Sequence, residues 1–401
     1  MLKHFGFKHF LILVAIHNAY YSFYKNPSGL SFDKILLLIA IIYFIITSVS
    51  NKSKFSVSGI GKLLLILFLG VCSLSFVRGV ITGLEQDRFQ NAFNPIISLC
   101  VVVPFTLFMS TSREFSLKIL FQTMMILMKI GIVLVLTSLA FKIDAGIIKP
   151  FIDPVFFLII FLNLNIGRKQ KSWIIVGILC YLYYGIAFDS RTIVLRVFLQ
   201  IALLLMFKYG EQIFKYLFLR KIVFAVIVLM PFLGLTYYYS FFNETNVSIG
   251  SNSISNEDTR TFLYVEVVGD LTKTENIFLG KGTLGTYFST WFYQQMGVDD
   301  VVDTFNRSLV EVGVLSYLLR GGLLLASLFI LLMLFLSSKA LLVNDIKVRA
   351  IAYILLNHVL ISFIENIPRF FIYDVILWLF VGYLINRVYK SKDSNNLAPN
   401  V

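Results

Sequence analysis

The sequence predicts an all-α, polytopic integral membrane protein with about twelve transmembrane helices and one large extracytoplasmic loop. Three observations lead to this fold class. The chain of 401 residues is 58% hydrophobic and 14% charged, with a mean hydropathy of +0.83, whereas soluble domains are nearer half apolar and about a quarter charged. The apolar residues form repeated runs of about 18–25 residues, long enough to cross the hydrocarbon core of a bilayer. Basic residues, finally, alternate between the loops that join these runs.

The apolar runs define the predicted spans, and the sixth run is set apart because it is short and carries Pro150 and Pro154. The predicted spans are 8–24, 34–50, 61–82, 94–110, 117–141, 150–166, 172–188, 192–209, 220–241, 312–337, 347–364 and 369–387. The resulting units are an N-terminal transmembrane bundle (1–240), an extracytoplasmic loop (241–311), the C-terminal transmembrane helices (312–388) and a cytoplasmic tail (389–401).

The distribution of positive charge predicts the orientation. About twenty of the 35 Lys and Arg residues lie in the N-terminal segment and in the short loops that an alternating topology assigns to one face, such as 167–171 and 337–349. Short cytoplasmic loops carry the excess of Lys and Arg. Both termini are therefore expected in the cytoplasm and the loop 241–311 outside. This bias also explains the net charge of +13 without a nucleic-acid partner.

The long loop contains the segment 258–285, DTRTFLYVEVVGDLTKTENIFLGKGTLG. Lys281 lies between Gly280 and Gly282, but the spacing differs from a phosphate-binding loop, which needs Gly, four residues and then Gly-Lys-Ser/Thr. The two glycines are instead expected to turn the backbone tightly or to let it approach a ligand closely. The mixed residues 259–268 are compatible with either a helix or a strand.

Several arginines fall on the predicted outer face, at or near the ends of spans. They are Arg191, Arg260, Arg307, Arg320 and Arg369. A charge at the membrane edge is costly, so it tends to have a partner and a task. The planar guanidinium forms bidentate, charge-assisted hydrogen bonds to phosphate. A cluster of these groups would suit a lipid-linked diphosphate; the alternatives are snorkelling to the interface and salt bridges to neighbouring carboxylates.

Acidic and interior polar residues give further candidates. Glu311 lies at the mouth of the tenth span near Arg307 and is the best general-base candidate for a transfer to a sugar hydroxyl. The run DDVVD at 299–303 could hold a hard cation or be merely solvated. His358 and the mid-span Lys129 could serve a proton relay in a transporter, or be interior polar residues with satisfied partners.

Three motifs, in this order and on the same predicted side, resemble a known family. They are SRT at 190–192, the segment from Arg260 through the Gly-x-Gly pattern to Phe288, and NRSLVEVGVLSYLLRGGLLL at 306–325. Together with the span count and the late outer loop, they resemble the bacterial O-antigen polymerase and O-antigen ligase superfamily, which also contains capsular and exopolysaccharide repeat-unit polymerases. Ligases of that family carry a functional His-Asn pair near the end of the loop. This chain has Phe305-Asn306 there, which favours a polymerase.

The resemblance implies a metal-independent membrane glycosyltransferase of the bacterial inner membrane, with no cofactor. Such an enzyme moves the growing glycan of a polysaccharide from an undecaprenyl-diphosphate carrier to a sugar hydroxyl of the next lipid-linked repeat unit at the outer leaflet. Its expected partners are that lipid-linked oligosaccharide, membrane lipid, a chain-length regulator and a flippase. The open alternatives are a ligase that uses a lipid or protein acceptor and, in another class, a lipid-linked sugar flippase or other transporter.

The same resemblance assigns the candidate site residues. Preorganised cations would stabilise the negative charge that builds on the departing diphosphate. The catalytic candidates are Arg191, Arg260 and Glu311, and the substrate-binding candidates are Arg307, Arg320, Lys281, Gly280 and Gly282. On this interpretation the polar segment 258–285 closes over a glycolipid that lies half in the membrane.

Overall fold

A computed structural model describes most of the chain, in separate stretches. The described residues are 2–24, 59–85, 103, 116–141, 143–188, 190–209, 225, 261–289, 306–343, 345–365, 368 and 370–395. Almost all of the predicted spans 34–50, 94–110 and 220–241 lies outside them, as does the loop on either side of 261–289.

The described residues are predominantly helical. The helices are α1 (Leu2–Tyr24), α2 (Gly59–Glu85), α3 (Leu117–Ser138), α4 (Ala145–Ile152), α5 (Pro154–Ile159), α6 (Arg168–Ala187), α7 (Arg191–Tyr209), α8 (Thr261–Lys273), α9 (Gly313–Ala340), α10 (Ile346–Ser362) and α11 (Ile372–Asn395). Two short antiparallel strands, of two residues each, lie in the segment that the sequence assigns to the outer loop. They are β1 (Tyr287–Phe288) and β2 (Asn306–Arg307).

Four stretches of the described chain are long and apolar enough to cross a membrane. They are Ile60–Thr82, Leu117–Ser138, Ala145–Asn163 and Gly313–Ala340. The protein is therefore a helical, membrane-embedded protein, whereas the number of about twelve spans stays a prediction.

Local sequence signals set where several helices begin. The Ser116 side chain accepts a hydrogen bond from the Ile119 N–H (3.1 Å) at the start of α3, and Asp345 accepts one from the Lys347 N–H (2.8 Å) at the start of α10. Such N-caps satisfy backbone donors that have no partner inside the helix. Both helices begin within one residue of the predicted starts, 117 and 347.

The predicted sixth span, 150–166, needs correction. It runs from Ala145 to Asn163 and consists of α4, α5 and a final 3₁₀ turn (Ile160–Asn163). The first break falls at Asp153, because Pro154 has no N–H to donate into the preceding helix and is favoured at the first position of a new one. Every residue of α5 is buried, so the break lies inside the protein.

The interior is built from two groups of helices. α9 packs most extensively against α10 and α2, and α4 against α3 and α1. Aromatic rings join α2, α9 and α11: Phe68 stacks on Trp378 with 5.6 Å between ring centroids, and Trp378 lies 6.5 Å from Phe329. These helices therefore form a packed frame beside which the segment 261–289 lies.

Side-chain contacts show which helix termini meet. The Asn18 amide, near the end of α1, donates to the Phe370 carbonyl (3.0 Å) and accepts from the Ile372 N–H (2.8 Å) at the start of α11. A hydrogen bond between Gln200 of α7 and Asn357 of α10, with Arg196 in electrostatic range of Glu365 just beyond α10, shows that α7 runs antiparallel to α10.

The segment 261–289, which the sequence assigns to the outer loop, attaches at the end of the bundle where these termini lie. The Tyr264 hydroxyl of α8 donates to the carbonyl of Phe363, immediately after α10. We call this the loop end of the bundle: it contains the ends of α1, α2 and α10 and the starts of α7, α9 and α11.

Candidate functional site at the loop end

The tenth predicted span, α9, is interrupted near its start at Gly322, where φ is 66° and ψ is −168°. A break in a helix leaves N–H and C=O groups without their intrahelical partners. Unpaired polar groups are costly away from water, and residues 315–322 are buried up to the break, whereas Leu323 and Leu324 beyond it are exposed. Some other backbone must therefore supply hydrogen bonds at this position.

That backbone comes from the loop segment 276–285, which enters the break. Four hydrogen bonds cross between the two segments, two in each direction. They run from Lys281 N to Leu319 O (2.7 Å), Gly282 N to Arg320 O (3.0 Å), Leu323 N to Ile277 O (2.8 Å) and Leu324 N to Phe278 O (3.3 Å). The loop thus supplies partners on both sides of the interruption, and loop and helix hold each other in place.

Glycine is required on both sides of this contact because the two backbones touch. Gly280 has φ of +64°, and a Cβ there would lie 2.5 Å from the carbonyl carbon of Arg320 and from the nitrogen of Gly321. A Cβ on Gly322 would lie 2.1 Å from the carbonyl oxygen of Phe278. A positive φ and an approach this close both favour a residue without a side chain. The sequence predicted that Gly280 would allow a tight turn or a close approach to a ligand. In the structure, Gly280 closely approaches the backbone of α9.

α2 forms the third side of this contact. The Ser75 hydroxyl donates to the Arg320 carbonyl (2.8 Å), while the Ser75 carbonyl accepts from the Thr283 N–H (3.0 Å). Gly282, with φ of +82°, lies against Gly79, whose nitrogen would be 2.6 Å from an added Cβ. We call the assembly of 75–79, 276–285 and 319–324 the interlock.

Arg78 ties the loop to α2 through its side chain. Its guanidinium donates to the Leu279 carbonyl (2.9 Å) and to the Asn276 side-chain oxygen (3.0 Å). Sequence reasoning missed this residue. The available signal was an arginine placed inside an apolar run, where a charge usually has a partner.

The helix α8 packs beside the interlock and is held by an ion pair and by hydrogen bonds. The Lys281 ammonium lies 2.5 Å from an Asp270 carboxylate oxygen and donates to the Thr286 carbonyl (3.1 Å). The Ser289 hydroxyl donates to Glu266 (2.7 Å). Burial raises the pKa of Tyr264, whose hydroxyl bonds the end of α10. The predicted helix-or-strand segment 259–268 is therefore helical from Thr261 onward, and the helix continues to Lys273.

The strand pair brings residues 306–307 to the same place. Tyr287 is opposite Arg307 in the pair, and the Arg307 guanidinium lies 3.5 Å from a Glu311 carboxylate oxygen. Their side chains are 19% and 38% exposed, respectively. Burial raises the pKa of Tyr287 to about 12, and the positive charge of Arg307 partly opposes that shift. Glu311 is thus a partly exposed carboxylate that a bound molecule could reach.

Six of the eight predicted site residues belong to this connected unit: Gly280, Lys281, Gly282, Arg320, Arg307 and Glu311. Arg320 is 1% exposed, and its guanidinium donates to the Ser316 hydroxyl (2.6 Å). Its side chain is therefore inside the protein, while its carbonyl accepts from the loop. This burial favours a positioning role for Arg320.

The two leading candidates fall at the edge of the described chain. Arg191 is the first residue of α7, at the loop end, and its side chain lies outside the described part. Arg260 lies outside the described residues and directly precedes Thr261, the first residue of α8. Arg369 and the run 299–303 also lie outside the described residues.

A second polar group lies inside the bundle, and only its His358 was singled out from the sequence. The guanidinium of Arg196 lies 5.0 Å from the ring centroid of Tyr373, in electrostatic range of Asp153. Asp153 accepts from the Tyr181 hydroxyl (3.1 Å), and His358 Nδ1 lies 3.3 Å from the Tyr373 hydroxyl. Arg196 and Asp153 are 5% and 3% exposed, so opposite charges share the interior, which lowers the cost of burying either one. Their position within apolar runs was the available signal.

No group of three or more His, Cys, Asp or Glu side chains in the described part of the chain could hold a metal ion. The predicted hard-cation run, 299–303, is not among these residues.

Comparison of the chain with known protein families, with curated proteins and with solved structures finds no match in any of the three. The family resemblance drawn from the motifs therefore stays a prediction.

Proposed function

We propose that this protein is a polysaccharide repeat-unit polymerase of the bacterial inner membrane. The bond between the anomeric carbon of the growing glycan and its undecaprenyl diphosphate breaks, and that carbon forms a new bond to a hydroxyl oxygen of the next lipid-linked repeat unit. The hydroxyl proton passes to a carboxylate base, and the diphosphate leaves on its polyprenol with the bonding electron pair. No metal or cofactor is assigned to this reaction.

One observation carries the proposal: six site candidates, which lie between residues 280 and 320, belong to one connected unit at the loop end. Of the two remaining candidates, Arg191 lies at the same end. Arg191 precedes Arg196 by five residues in α7, or about 7.5 Å of helix, and Arg196 is in electrostatic range of Glu365 near the attachment of α8. Arg260 directly precedes α8. This arrangement supports a shared cationic site for a lipid-linked diphosphate.

The contacts support a division of roles among the candidates. Arg191 and Arg260 would stabilise the diphosphate as its charge develops. Arg307 and Glu311 are both partly exposed. Arg307 would contact the phosphate, and Glu311 would accept the hydroxyl proton. Lys281, paired with Asp270, and the interlock residues Arg320, Gly280 and Gly282 would act as positioning residues, because backbone contacts already occupy their surroundings.

The direct test is glycan extension by the purified protein in lipid nanodiscs supplied with lipid-linked repeat units. Arg191→Ala and Arg260→Ala should each abolish long products, with chain length read on a gel. Arg168→Ala is the matched control, because Arg168 is an exposed arginine at the start of α6, away from the loop end. Normal chain lengths in both loop-end variants would exclude the proposed catalytic role.

The ligase alternative is separated by what accumulates in cells that lack the protein. Loss of a polymerase leaves single repeats on the carrier, whereas loss of a ligase leaves long glycan stranded on it. Phe305-Asn306 stands where ligases of the resembled family carry His-Asn, which supports the polymerase.

A transporter or flippase is the second candidate, and the break at Gly322 and the prolines of the sixth span favour it, because transporters use discontinuous helices to build substrate sites. In α9, however, the exposed backbone groups of the break are occupied by the loop segment 276–285 instead of facing a cavity. Extension of lipid-linked repeats by the purified protein would favour the enzyme; movement of the repeats across the bilayer without extension would favour the carrier.

A further inference from the structure

A cavity lined by lysines lies at the opposite end of the bundle from the interlock. This cavity of about 350 Å³ opens between α1, α3 and α6, near the starts of α1 and α6. Three lysines line it, one from each helix: Lys8, Lys129 and Lys169. None of the described residues that line it is an Asp or a Glu. Positive groups that share a half-enclosed space without a carboxylate make that space attractive to an anion.

Lys129 makes this arrangement unusual because of its depth. It lies twelve residues beyond Leu117, the start of α3, which corresponds to about 18 Å of helix within a stretch long enough to cross a membrane. Its ammonium lies 5.2 Å from the ring centroid of Trp173, only five residues beyond the start of α6. The side chain therefore extends back toward the start of α3, the direction in which helical side chains point and in which a lysine reaches the interface.

The remaining lining matches a molecule with a charged head and an apolar body. Gln122 and Gln170 offer amide donors, and Gln170 lies in the first turn of α6, where the positive end of the helix dipole favours an anion. Phe121, Met125 and Ile126 form the apolar part of the wall. The outward faces of the adjoining helices are apolar as well, with Leu179 62% exposed on α6 and Val133 59% exposed on α3.

From this combination we infer that the cavity binds the phosphate headgroup of an anionic membrane phospholipid, with its acyl chains along α3 and α6. Basic pockets between transmembrane helices are known to hold anionic lipid headgroups. A phosphate diester would accept hydrogen bonds from the lysines and the glutamines, and its charge would provide the deep Lys129 ammonium with a counter-ion. This inference does not depend on the proposed polymerase activity.

The test measures lipid retained by the full-length protein. The protein is reconstituted in phosphatidylcholine nanodiscs that contain a minor fraction of phosphatidylglycerol, and bound lipid is counted by native mass spectrometry. We expect phosphatidylglycerol to be retained in preference to phosphatidylcholine. Lys129→Gln and Lys169→Gln should each weaken retention about fivefold, whereas Lys129→Arg, which keeps the charge, should retain the lipid.

Lys118→Gln is the matched control, because Lys118 is an exposed lysine in the first turn of α3 that does not line the cavity. Retention that is equal in Lys129→Gln, Lys169→Gln and Lys118→Gln would overturn the inference. Equal retention of phosphatidylcholine would do the same, as would displacement of the lipid by millimolar inorganic phosphate, which would identify a site for the free ion. If Lys129→Gln does not fold, Lys169→Gln decides the question, because Lys169 is an exposed residue in the first turn of α6.

Discussion

Replacing Gly280 by alanine should release the loop segment 276–285 from the break in α9. Alanine would have to keep a φ of +64°, which costs about 1–2 kcal/mol for a residue with a Cβ. That Cβ would also lie 2.5 Å from the carbonyl carbon of Arg320 and from the nitrogen of Gly321. Both neighbours are backbone atoms, so no side-chain rotation can relieve the contact and the segment must withdraw.

The withdrawal has a cost that follows from the hydrogen bonds it breaks. Four backbone hydrogen bonds cross the break; each contributes about 0.5–1.5 kcal/mol net, so the contact as a whole is worth roughly 2–6 kcal/mol. A loss of about 3 kcal/mol would make local opening on the order of 100-fold more frequent. Hydrogen exchange by mass spectrometry, on peptides that cover 276–285 and 319–325, measures this opening directly.

Gly269→Ala is the matched control for this substitution. Gly269 lies in α8, and an added Cβ there meets nothing within 4 Å, so alanine should be neutral or stabilise the helix by up to about 1 kcal/mol. Glycan extension by Gly280→Ala should fall together with its protection from exchange. If the amides of Lys281 and Gly282 exchange at the same rate in Gly280→Ala, Gly269→Ala and the unaltered protein, the interlock described above is wrong.

Two further substitutions test the surroundings of the interlock. Arg78→Lys keeps the charge but loses the planar fork that donates to both Leu279 and Asn276, so we expect faster hydrogen exchange over 276–279 and a lower melting temperature; unchanged exchange would show that either cation is sufficient. For Tyr287, burial raises the pKa to about 12, above the ordinary value near 10. The neutral phenol therefore contributes stability that is complete below about pH 10 and is lost as pH rises to about 12. Tyr287→Phe should lack this alkaline part of the melting profile, and an identical profile in both proteins would contradict the assignment.

The broad architecture could be predicted from the sequence because its signals are local. A run of apolar residues that fits the bilayer gives a span without knowledge of its neighbours, and caps such as Ser116 and Asp345 fix where a helix begins. Starts predicted at 117 and 347 therefore lie within one residue of those observed. The sixth span was predicted less well, because Pro154 divides it into helices that are each too short to cross a membrane alone.

The composition of the candidate site was only partly predictable, because its contacts join residues far apart in the chain. Gly280 and Gly282 were recognisable as special, but the sequence did not indicate that they meet α9 and α2. Arg78 was missed because its partner, the Leu279 carbonyl, is 201 residues away. Arg320, selected as a phosphate ligand, is 1% exposed, and its guanidinium donates to Ser316 of the same helix.

By itself, the sequence determined that this is a helical membrane protein with a polar segment late in the chain, because hydrophobicity and charge act on each segment separately. Only the tertiary structure decided that a loop backbone fills the break at Gly322 and that six candidate residues share one end of the bundle. The physical reason is that an unpaired backbone group in an apolar interior needs a hydrogen-bond partner. Here the partners are backbone groups of 277–282, which come near the break only when the chain packs.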